Sequence, residues 1–214
     1  MYLLGLTGSM GCGKSTVAAH FKLLGAHLLD SDRLARDVVA PGSEGLAALV
    51  GRFGASVLNV DGALDRKRLG KVVFGDDAKR RDLEALIHPR IRRMQMEALA
   101  RWCREDSRSL VVLDIPLLFE TGAETRCDGV VVTSCGAVQE ARLDARGGMA
   151  PEVRRAVVAR QMSEAEKCRR ADWVIDNSGE RAATLHRVER LWTHLVVLAK
   201  SGGGKAWPGR WQEA

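Results

Sequence analysis

Residues 8–15 read Gly-Ser-Met-Gly-Cys-Gly-Lys-Ser and directly follow the apolar run Tyr-Leu-Leu-Gly-Leu-Thr at residues 2–7. This octet has the spacing G-x-x-x-x-G-K-S/T, in which a glycine-rich loop points its backbone N–H groups at a chain of phosphates. The apolar run predicts a buried strand, and residues 15–24 predict an amphipathic helix whose N-terminus attracts anions. The stretch therefore predicts the strand, loop and helix that open an α/β fold and bind a nucleoside triphosphate.

Each part of this loop has an expected contact. Lys14 should reach the β- and γ-phosphates, and the hydroxyl of Ser15 should ligate Mg²⁺. At Cys12 a small, tolerated side chain is favoured over a redox role, although a helix N-terminus could lower the pKa of its thiol. The residues predicted to bind ATP in the loop are Gly8, Gly11, Cys12, Gly13, Lys14, Ser15 and Thr16.

The composition is typical of a single globular protein. With 214 residues, of which 46% are hydrophobic and 28% charged, the chain can bury one substantial core. No apolar stretch approaches the ~20 residues that span a bilayer, and the first strand leaves no room for a signal segment before it. We therefore predict a cytoplasmic protein without a membrane partner.

The net charge bears on whether the protein binds nucleic acid or a small molecule. The net charge of +6 invites a nucleic-acid hypothesis, but aromatic residues are only 5% and no RNA-binding signature is present. A positive field would equally attract a polyphosphate, so we predict a small-molecule substrate and no nucleic acid. The oligomeric state stays open.

The cysteines are odd in number and lack a C-x-x-C pair, which predicts reduced thiols and argues against a disulfide framework or a zinc site. They are Cys12, Cys103, Cys127, Cys135 and Cys168.

Five short apolar runs predict buried parallel strands at residues 2–7, 26–29, 110–115, 130–133 and 173–175. Helical patterns lie between them. This alternation predicts an α/β fold with a three-layer, doubly wound parallel sheet of the P-loop nucleoside triphosphate hydrolase or kinase type. Ligands of such sheets bind at the carboxyl ends of the strands.

The gap between the second and third strands is too long for one crossover, so it predicts a helical insertion. The predicted parts are a nucleotide-binding core at 1–31, 108–136 and 171–200, an insertion at 32–107, a helical lid at 137–170 and a flexible tail at 201–214. Near the end of the insertion, His88-Pro89 is predicted to separate a helix at 77–87 from a basic helix at 89–104.

Two carboxylates follow predicted strands. Asp32 could be the base that takes the proton of an acceptor hydroxyl, or it could merely cap the next helix, and the spacing does not decide between these. Asp114 could hold Mg²⁺ through water, or it could make a local hydrogen bond at its strand end.

Basic residues in the predicted lid fall at helical spacing. Gln139, Arg142 and Arg146 share one face, and such a helical segment ending at glycines favours a lid that neutralises transition-state charge over a plain solvated surface. Arg154, Arg155 and Arg160 belong to the same basic segment. In the insertion, a lone histidine before proline, His88, is typical of a structural residue, and Arg92 could bind an anion or only solvent.

Several segments together resemble the dephospho-coenzyme A kinase family. They lie in order along nearly the whole chain, up to about residue 200. The matching segments are residues 5–16, 29–32, 83–92, 114–120, Gln139 with Arg142 and Arg146, 160–161 and 171–179. The His-Pro segment, the Asp-x-Pro-Leu-Leu-x-Glu segment and the Asp-Asn-x-Gly segment are more specific in combination than the phosphate loop, which many enzymes share. The family commonly has glycine where this chain has Ser9, a departure that leaves the loop pattern intact.

The resemblance implies transfer of the ATP γ-phosphoryl group to the ribose 3′-hydroxyl of dephospho-coenzyme A, with Mg²⁺, as the last step of coenzyme A synthesis. It implies that Asp32 is the base, that the insertion binds the acceptor and that residues 137–170 form the lid. It also assigns His88, Arg92, Leu117 and Phe119 to the acceptor side and Asn177 to the surroundings of the adenine of ATP.

Two other functions fit the same loop. Another P-loop kinase, acting on a nucleoside monophosphate or a sugar acid, would share the fold and the donor and differ only in the acceptor. A nucleic-acid-binding nucleoside triphosphatase would use the positive charge, but the basic residues are dispersed over predicted helices instead of forming one tract.

Overall fold

The computed structural model describes residues 1–147, 157–159 and 161–212. Two compact units divide the chain. The first comprises Met1–Leu29 with Trp102–Ala214, and the second comprises Asp30–Arg101. The sequence predicted similar boundaries, at residues 32 and 107, because no single crossover fills so long a gap between two strands.

The sheet has five strands, which confirms the five predicted runs with small shifts at their ends. They are β1 (Tyr2–Gly8), β2 (His27–Asp30), β3 (Leu110–Asp114), β4 (Gly129–Ser134) and β5 (Trp173–Asp176). Their spatial order is β2-β3-β1-β4-β5, and the central strand β1 pairs in parallel with both β3 and β4. Because β1 is buried along its whole length, it is apolar at nearly every position.

The helices in the described part of the chain are listed here in chain order. They are α1 (Lys14–Leu23), α2 (Ser31–Asp37), α3 (Glu44–Phe53), α4 (Arg66–Val73), α5 (Asp77–Glu105), α6 (Gln139–Arg146), α7 (Glu164–Arg170), α8 (Arg181–Lys200) and α9 (Gly209–Gln212). Short 3₁₀ turns lie at Ala55–Val57, Ala123–Arg126 and Gly136–Val138. None of the helices in this part combines the length and apolar character needed to cross a bilayer.

One face of the sheet is covered by α1 and α8. Val17 and Phe21 of α1 and Val188 and Leu195 of α8 are fully buried in a core that includes alternate residues of β1. This packing fixes the start of α1, and with it the phosphate loop, relative to the carboxyl end of β1. The fold is therefore the predicted α/β type.

The carboxyl-terminal segment packs on the first unit, which corrects the prediction of a flexible tail. Ala206 and Trp211 are buried. The backbone N–H of Ala206 donates to the carboxylate of Asp128 (2.6 Å), and the indole N–H of Trp211 donates to the carbonyl of Arg126 (3.1 Å). The glycines and the polar composition suggested a linker, but one buried indole and its hydrogen bonds order the segment.

The second unit has its own apolar core. Its buried residues include Leu49 of α3, Val57 of the first 3₁₀ turn and Leu69 of α4. Apolar residues of α5 pack against them. Ser43 caps α3 through a hydrogen bond from the N–H of Leu46 (3.1 Å), and Asp65 caps α4. These side chains satisfy backbone N–H groups of the first turns and so fix where α3 and α4 begin.

The predicted break at His88-Pro89 is wrong, because α5 runs without interruption from Asp77 to Glu105 with Pro89 inside it. A proline inside a helix costs about 3 kcal/mol. The apolar stripe of α5 continues across it, with Leu86 and Ile87 before the proline and Ile91 after it all packed on the core of the second unit. Packing on both sides thus outweighs the local penalty.

Candidate active site

The phosphate loop lies between β1 and α1 and takes the backbone conformation that its glycines were expected to permit. Gly11 has φ 85° and Gly13 has φ 77°, both in the left-handed region that strains other residues. Gly8 ends β1, and a Cβ there would lie 2.8 Å from the carbonyl oxygen of Thr133 in the neighbouring strand. These three positions therefore require glycine for conformation or for space.

Lys14 and Asp114 form an ion pair at the base of this loop. Lys14 is the first residue of α1, and Asp114 is the last residue of β3, the strand beside β1. Carboxyl ends of adjacent parallel strands meet at one edge of the sheet, so the fold brings together the cation predicted to bind phosphate and a buried carboxylate. Ser15 presents its hydroxyl in the exposed first turn of α1. Ser15 and Asp114 offer hard oxygen donors of the kind that Mg²⁺ prefers.

Asn177 braces the phosphate loop from the far end of the chain. Its side-chain N–H donates to the carbonyl of Cys12 (2.9 Å), and its side-chain oxygen accepts from the hydroxyl of Thr184 (2.8 Å). Asn177 and Thr184 are both buried. The prediction had placed Asn177 near the adenine of ATP, and the structure gives it this contact with the loop itself.

Two glutamines hold the tip of the loop. The side chain of Gln139, in the first turn of α6, donates to the carbonyl of Met10 (2.7 Å). The N–H of Met10 donates to the side-chain oxygen of Gln161 (3.2 Å). Gln139, predicted as part of a basic lid face, therefore serves as a backbone brace.

A cavity of about 250 Å³ opens beside the loop. It is lined by Gly11, Gly13, Thr16, Arg142, Asn177, Gly179 and Arg181. Four of the predicted nucleotide-binding residues therefore line one cavity together with the predicted Arg142; they are Gly11, Gly13, Thr16 and Asn177. Arg146, in the exposed last turn of α6, is not among the lining residues. Arg154, Arg155 and Arg160 lie outside the described residues.

Gly179 and Arg181 also line the cavity and were not predicted from the sequence. A signal was available, because both follow β5, whose carboxyl end faces the same edge of the sheet as the phosphate loop. Nearby, hydrogen bonds from the side chain and the N–H of Ser178, with the charges of Arg187 and Arg142, hold the pKa of Asp176 below its usual value. The cavity is thus lined by cations and has an ionised carboxylate close by.

Substitution of Thr184 by valine should loosen the loop. The change keeps the shape of the side chain but leaves the buried oxygen of Asn177 without its donor, which should cost about 1–3 kcal/mol of unfolding free energy. We also expect a higher KM for ATP, because Asn177 is then held less firmly against Cys12. Denaturant unfolding and steady-state kinetics measure the two effects.

Thr193 offers the matched control on the same helix. Its hydroxyl donates to the carbonyl of Glu189 (3.1 Å), and the residue is exposed. Thr193→Val should leave both the unfolding free energy and the KM for ATP nearly unchanged. Equal effects of the two substitutions would contradict a bracing role for Thr184.

The prediction that all five cysteines are free thiols is wrong, because Cys12 and Cys135 form a disulfide with a Cα–Cα distance of 4.9 Å. Cys12 follows β1 and Cys135 follows β4, so pairing of these two strands brings together residues 123 positions apart. Glu164 packs beside them, and its carboxylate accepts hydrogen bonds from Ser134 (2.8 Å) and from the N–H of Gly136 (2.9 Å). The remaining cysteines, Cys103, Cys127 and Cys168, are free.

The segment after β3 is held by α7 through a buried ion pair. The ammonium of Lys167, fully buried, lies 3.0 Å from the carboxylate of Glu120. Burial raises the pKa of Glu120, but hydrogen bonds from its own N–H, from Lys167 and from the N–H of Met162 outweigh burial and hold the pKa below its usual value. This pair was not predicted, because its partners are 47 positions apart and form no local pattern.

The two acceptor-side residues predicted in this segment differ in exposure. Leu117 is exposed, whereas Phe119 is buried, and the guanidinium of Arg170 lies 4.7 Å from the centre of its ring. Phe119 therefore offers little surface to a ligand and has an evident packing role. Leu117 remains available for contact.

The second unit contains the other predicted acceptor-side residues. Asp30, not Asp32, caps α2, since its carboxylate accepts from the N–H of Arg33 (3.0 Å). This finding removes the capping alternative for Asp32, which lies in the first turn of the helix. His88 is exposed and Arg92 is half-buried, four residues apart and thus on one face of α5.

Comparisons with known proteins agree on one family. A family model described as "Dephospho-CoA kinase" matches residues 2–183. The chain is 45% identical over 197 residues to the dephospho-CoA kinase of Syntrophotalea carbinolica, covering 92% of this chain and 93% of the relative. It is 44% identical over 193 residues to that of Symbiobacterium thermophilum, covering 90% and 80%.

Two solved structures are similar to the chain. The dephospho-CoA kinase from Campylobacter jejuni is similar with a TM-score of 0.68 and 25% identity, covering 91% of this chain and 97% of that one. A crystal structure from Thermus thermophilus has a TM-score of 0.78 and 37% identity, covering 90% and 96%.

Proposed function

The chain belongs to the dephospho-CoA kinase family, and from that membership we propose how its residues move a phosphoryl group from ATP to the 3′-hydroxyl of dephospho-coenzyme A. Family membership makes the protein an ATP-dependent kinase that acts on an alcohol group. The observation that carries the proposal is the pairing of Lys14 with Asp114 under a glycine loop that has the required left-handed residues.

The donor binds in the phosphate loop. Backbone N–H groups of residues 8–15 and the ammonium of Lys14 hold the β- and γ-phosphates, while the nucleoside extends into the cavity lined by Arg142, Asn177 and Arg181. Ser15 would hold Mg²⁺, and Asp114 would help to hold it through water. When bound, Mg²⁺ neutralises charge on the phosphate oxygens.

The acceptor is activated by Asp32. Its carboxylate accepts the proton of the 3′-hydroxyl as the oxygen attacks the γ-phosphorus, and ADP leaves. Two observations support this role: the helix cap is Asp30, and Asp32 lies in the first turn of a helix of the unit that the family resemblance assigns to the acceptor. His88, Arg92 and Leu117 contact the acceptor.

Positive charge from α6 stabilises the transition state. Arg142, beside the loop, and Arg146, one turn further along the helix, neutralise the charge that develops on the transferred group. Closure of the predicted lid, of which residues 137–147, 157–159 and 161–170 are described, excludes water, so that the phosphoryl group passes to the acceptor and not to solvent.

An acceptor panel tests the assigned function. We expect ADP release with ATP and dephospho-coenzyme A, and a product heavier by one phosphoryl group in mass spectrometry. A nucleoside monophosphate and a sugar acid should give no more than background. Absence of turnover with dephospho-coenzyme A would reject the proposal, and hydrolysis that nucleic acid stimulates would favour the nucleoside triphosphatase instead.

A further inference from the structure

Helix α4 and the residue that follows it present four exposed residues along an open groove in the second unit. The groove has a volume of about 480 Å³ and is lined by Lys67, Gly70, Lys71 and Phe74, the residue that follows the helix. Their spacing, i, i+3, i+4 and i+7, places them on one helix face. Leu69 points the other way, into the apolar core. We call the four residues the α4 groove.

The side chains of the α4 groove combine an aromatic surface with positive charge. Phe74 is 81% exposed, which is unusual for a phenyl ring that could have joined the core of its own unit. Within the described residues, Lys67 and Lys71 form no ion pair, since the nearby carboxylate of Asp65 lies 3.1 Å from Arg68 instead. An anion with an apolar extension would complement this surface.

Nothing within the second unit explains why position 70 is glycine. It lies inside α4, where glycine costs about 1 kcal/mol relative to alanine. Its φ is not in the left-handed region, and a Cβ added there would meet nothing within 4 Å. Neither conformation nor packing within the unit therefore requires glycine. A ligand that lies against the helix backbone at this point would require it.

The α4 groove begins near the helix that carries Asp32. The guanidinium of Arg66, the first residue of α4, donates to the carbonyl of Ala35 in α2 (3.4 Å). Lys67 comes next, Lys71 one turn later, and Phe74 about 12 Å along the helix axis from Arg66, at 1.5 Å per residue. Starting from the helix of Asp32, the order is therefore two cations and then an aromatic ring.

We propose that the α4 groove binds the arm of dephospho-coenzyme A that leads away from the reacting ribose. Lys67 and Lys71 bind the diphosphate, Phe74 packs against the dimethyl carbon of the pantetheine, and Gly70 leaves room for the chain between them. The chemical order of the ligand matches the order of the residues, because the diphosphate lies closer to the ribose than the apolar carbon does. The inference rests on the proposed function, since it concerns the same acceptor.

Gly70→Gln and Phe74→Ala test the α4 groove. Glutamine is a good helix former and has free space, so Gly70→Gln should keep or raise the unfolding midpoint while it blocks the groove. Each substitution should weaken binding of dephospho-coenzyme A about tenfold, Phe74→Ala through loss of one ring contact and Gly70→Gln through obstruction of the groove, and leave ATP binding unchanged. Isothermal titration calorimetry with each ligand gives the dissociation constants, and thermal unfolding gives the midpoint.

Val60 supplies the control, because it is 98% exposed in the same unit and does not line the groove. Val60→Ala should bind both ligands as the unchanged protein does. If the unchanged protein turns over dephospho-coenzyme A but both groove variants bind it normally, the α4 groove is not its site. Equal weakening of ATP binding would overturn the inference as well. If the unchanged protein lacks turnover, the proposed function itself fails.

Discussion

Replacing Lys14 by alanine is expected to lower kcat/KM by about 10³-fold or more, because the ammonium neutralises charge on the β- and γ-phosphates as the bond to the leaving group breaks. Lys14 also pairs with the buried carboxylate of Asp114. Because the pair is only partly buried, its loss should destabilise the protein by less than the ~3–5 kcal/mol expected for a fully buried pair. Steady-state kinetics with ATP and dephospho-coenzyme A should therefore be accompanied by thermal unfolding.

Lys14→Arg separates catalysis from stability. A guanidinium keeps the charge and can pair with Asp114, so the variant should unfold near the normal temperature, yet its planar fork should not fit the place of a compact ammonium in the loop. We expect a loss of about 10²-fold in kcat/KM even so. Lys22→Ala, at an exposed position in the last turn of the same helix, is the control and should remain active. Normal kinetics in the Lys14 variants would contradict phosphate binding by this residue.

Asp32→Asn is expected to lower kcat by about 10²-fold while the KM for ATP stays nearly constant, since an amide cannot accept the proton of the acceptor hydroxyl. Because Asp30 caps α2 through the N–H of Arg33, the substitution at Asp32 should leave the helix intact. Circular dichroism and single-turnover kinetics check both statements.

Asp37→Asn controls for charge in the same helix. Asp37 lies 3.8 Å from Arg33 in an exposed i, i+4 pair, a kind of contact that contributes little to stability. This variant should retain normal kcat. If Asp32→Asn also retains it, another group must accept the proton, and the mechanism must be revised.

The sequence was sufficient where structure depends on neighbours along the chain. The loop could be predicted because its conformation needs glycine at positions 11 and 13, and φ there is indeed positive. The strands could be predicted because β1, β3 and β4 are buried on both faces and therefore almost wholly apolar.

Contacts between residues far apart in the sequence could not be predicted from local patterns. The bond between Asn177 and Cys12 joins positions 165 residues apart, and the disulfide between Cys12 and Cys135 depends on which strands become neighbours. Pro89 is a second case in which distant contacts decide the structure. Its local effect is to end a helix, but the packing of α5 on the core of its own unit continues the helix through it.

Because the braces of the amino-terminal loop come from Gln139, Gln161 and Asn177, the nucleotide site is finished late in translation. The ribosome synthesises the loop first and the three residues that contact it last, at roughly 5–20 residues per second. A nascent chain that ends before Asn177 thus carries the phosphate motif without the contacts that shape it. If ATP binds in this loop, we expect tight binding to require the completed polypeptide, because shorter ribosome-bound chains lack these contacts.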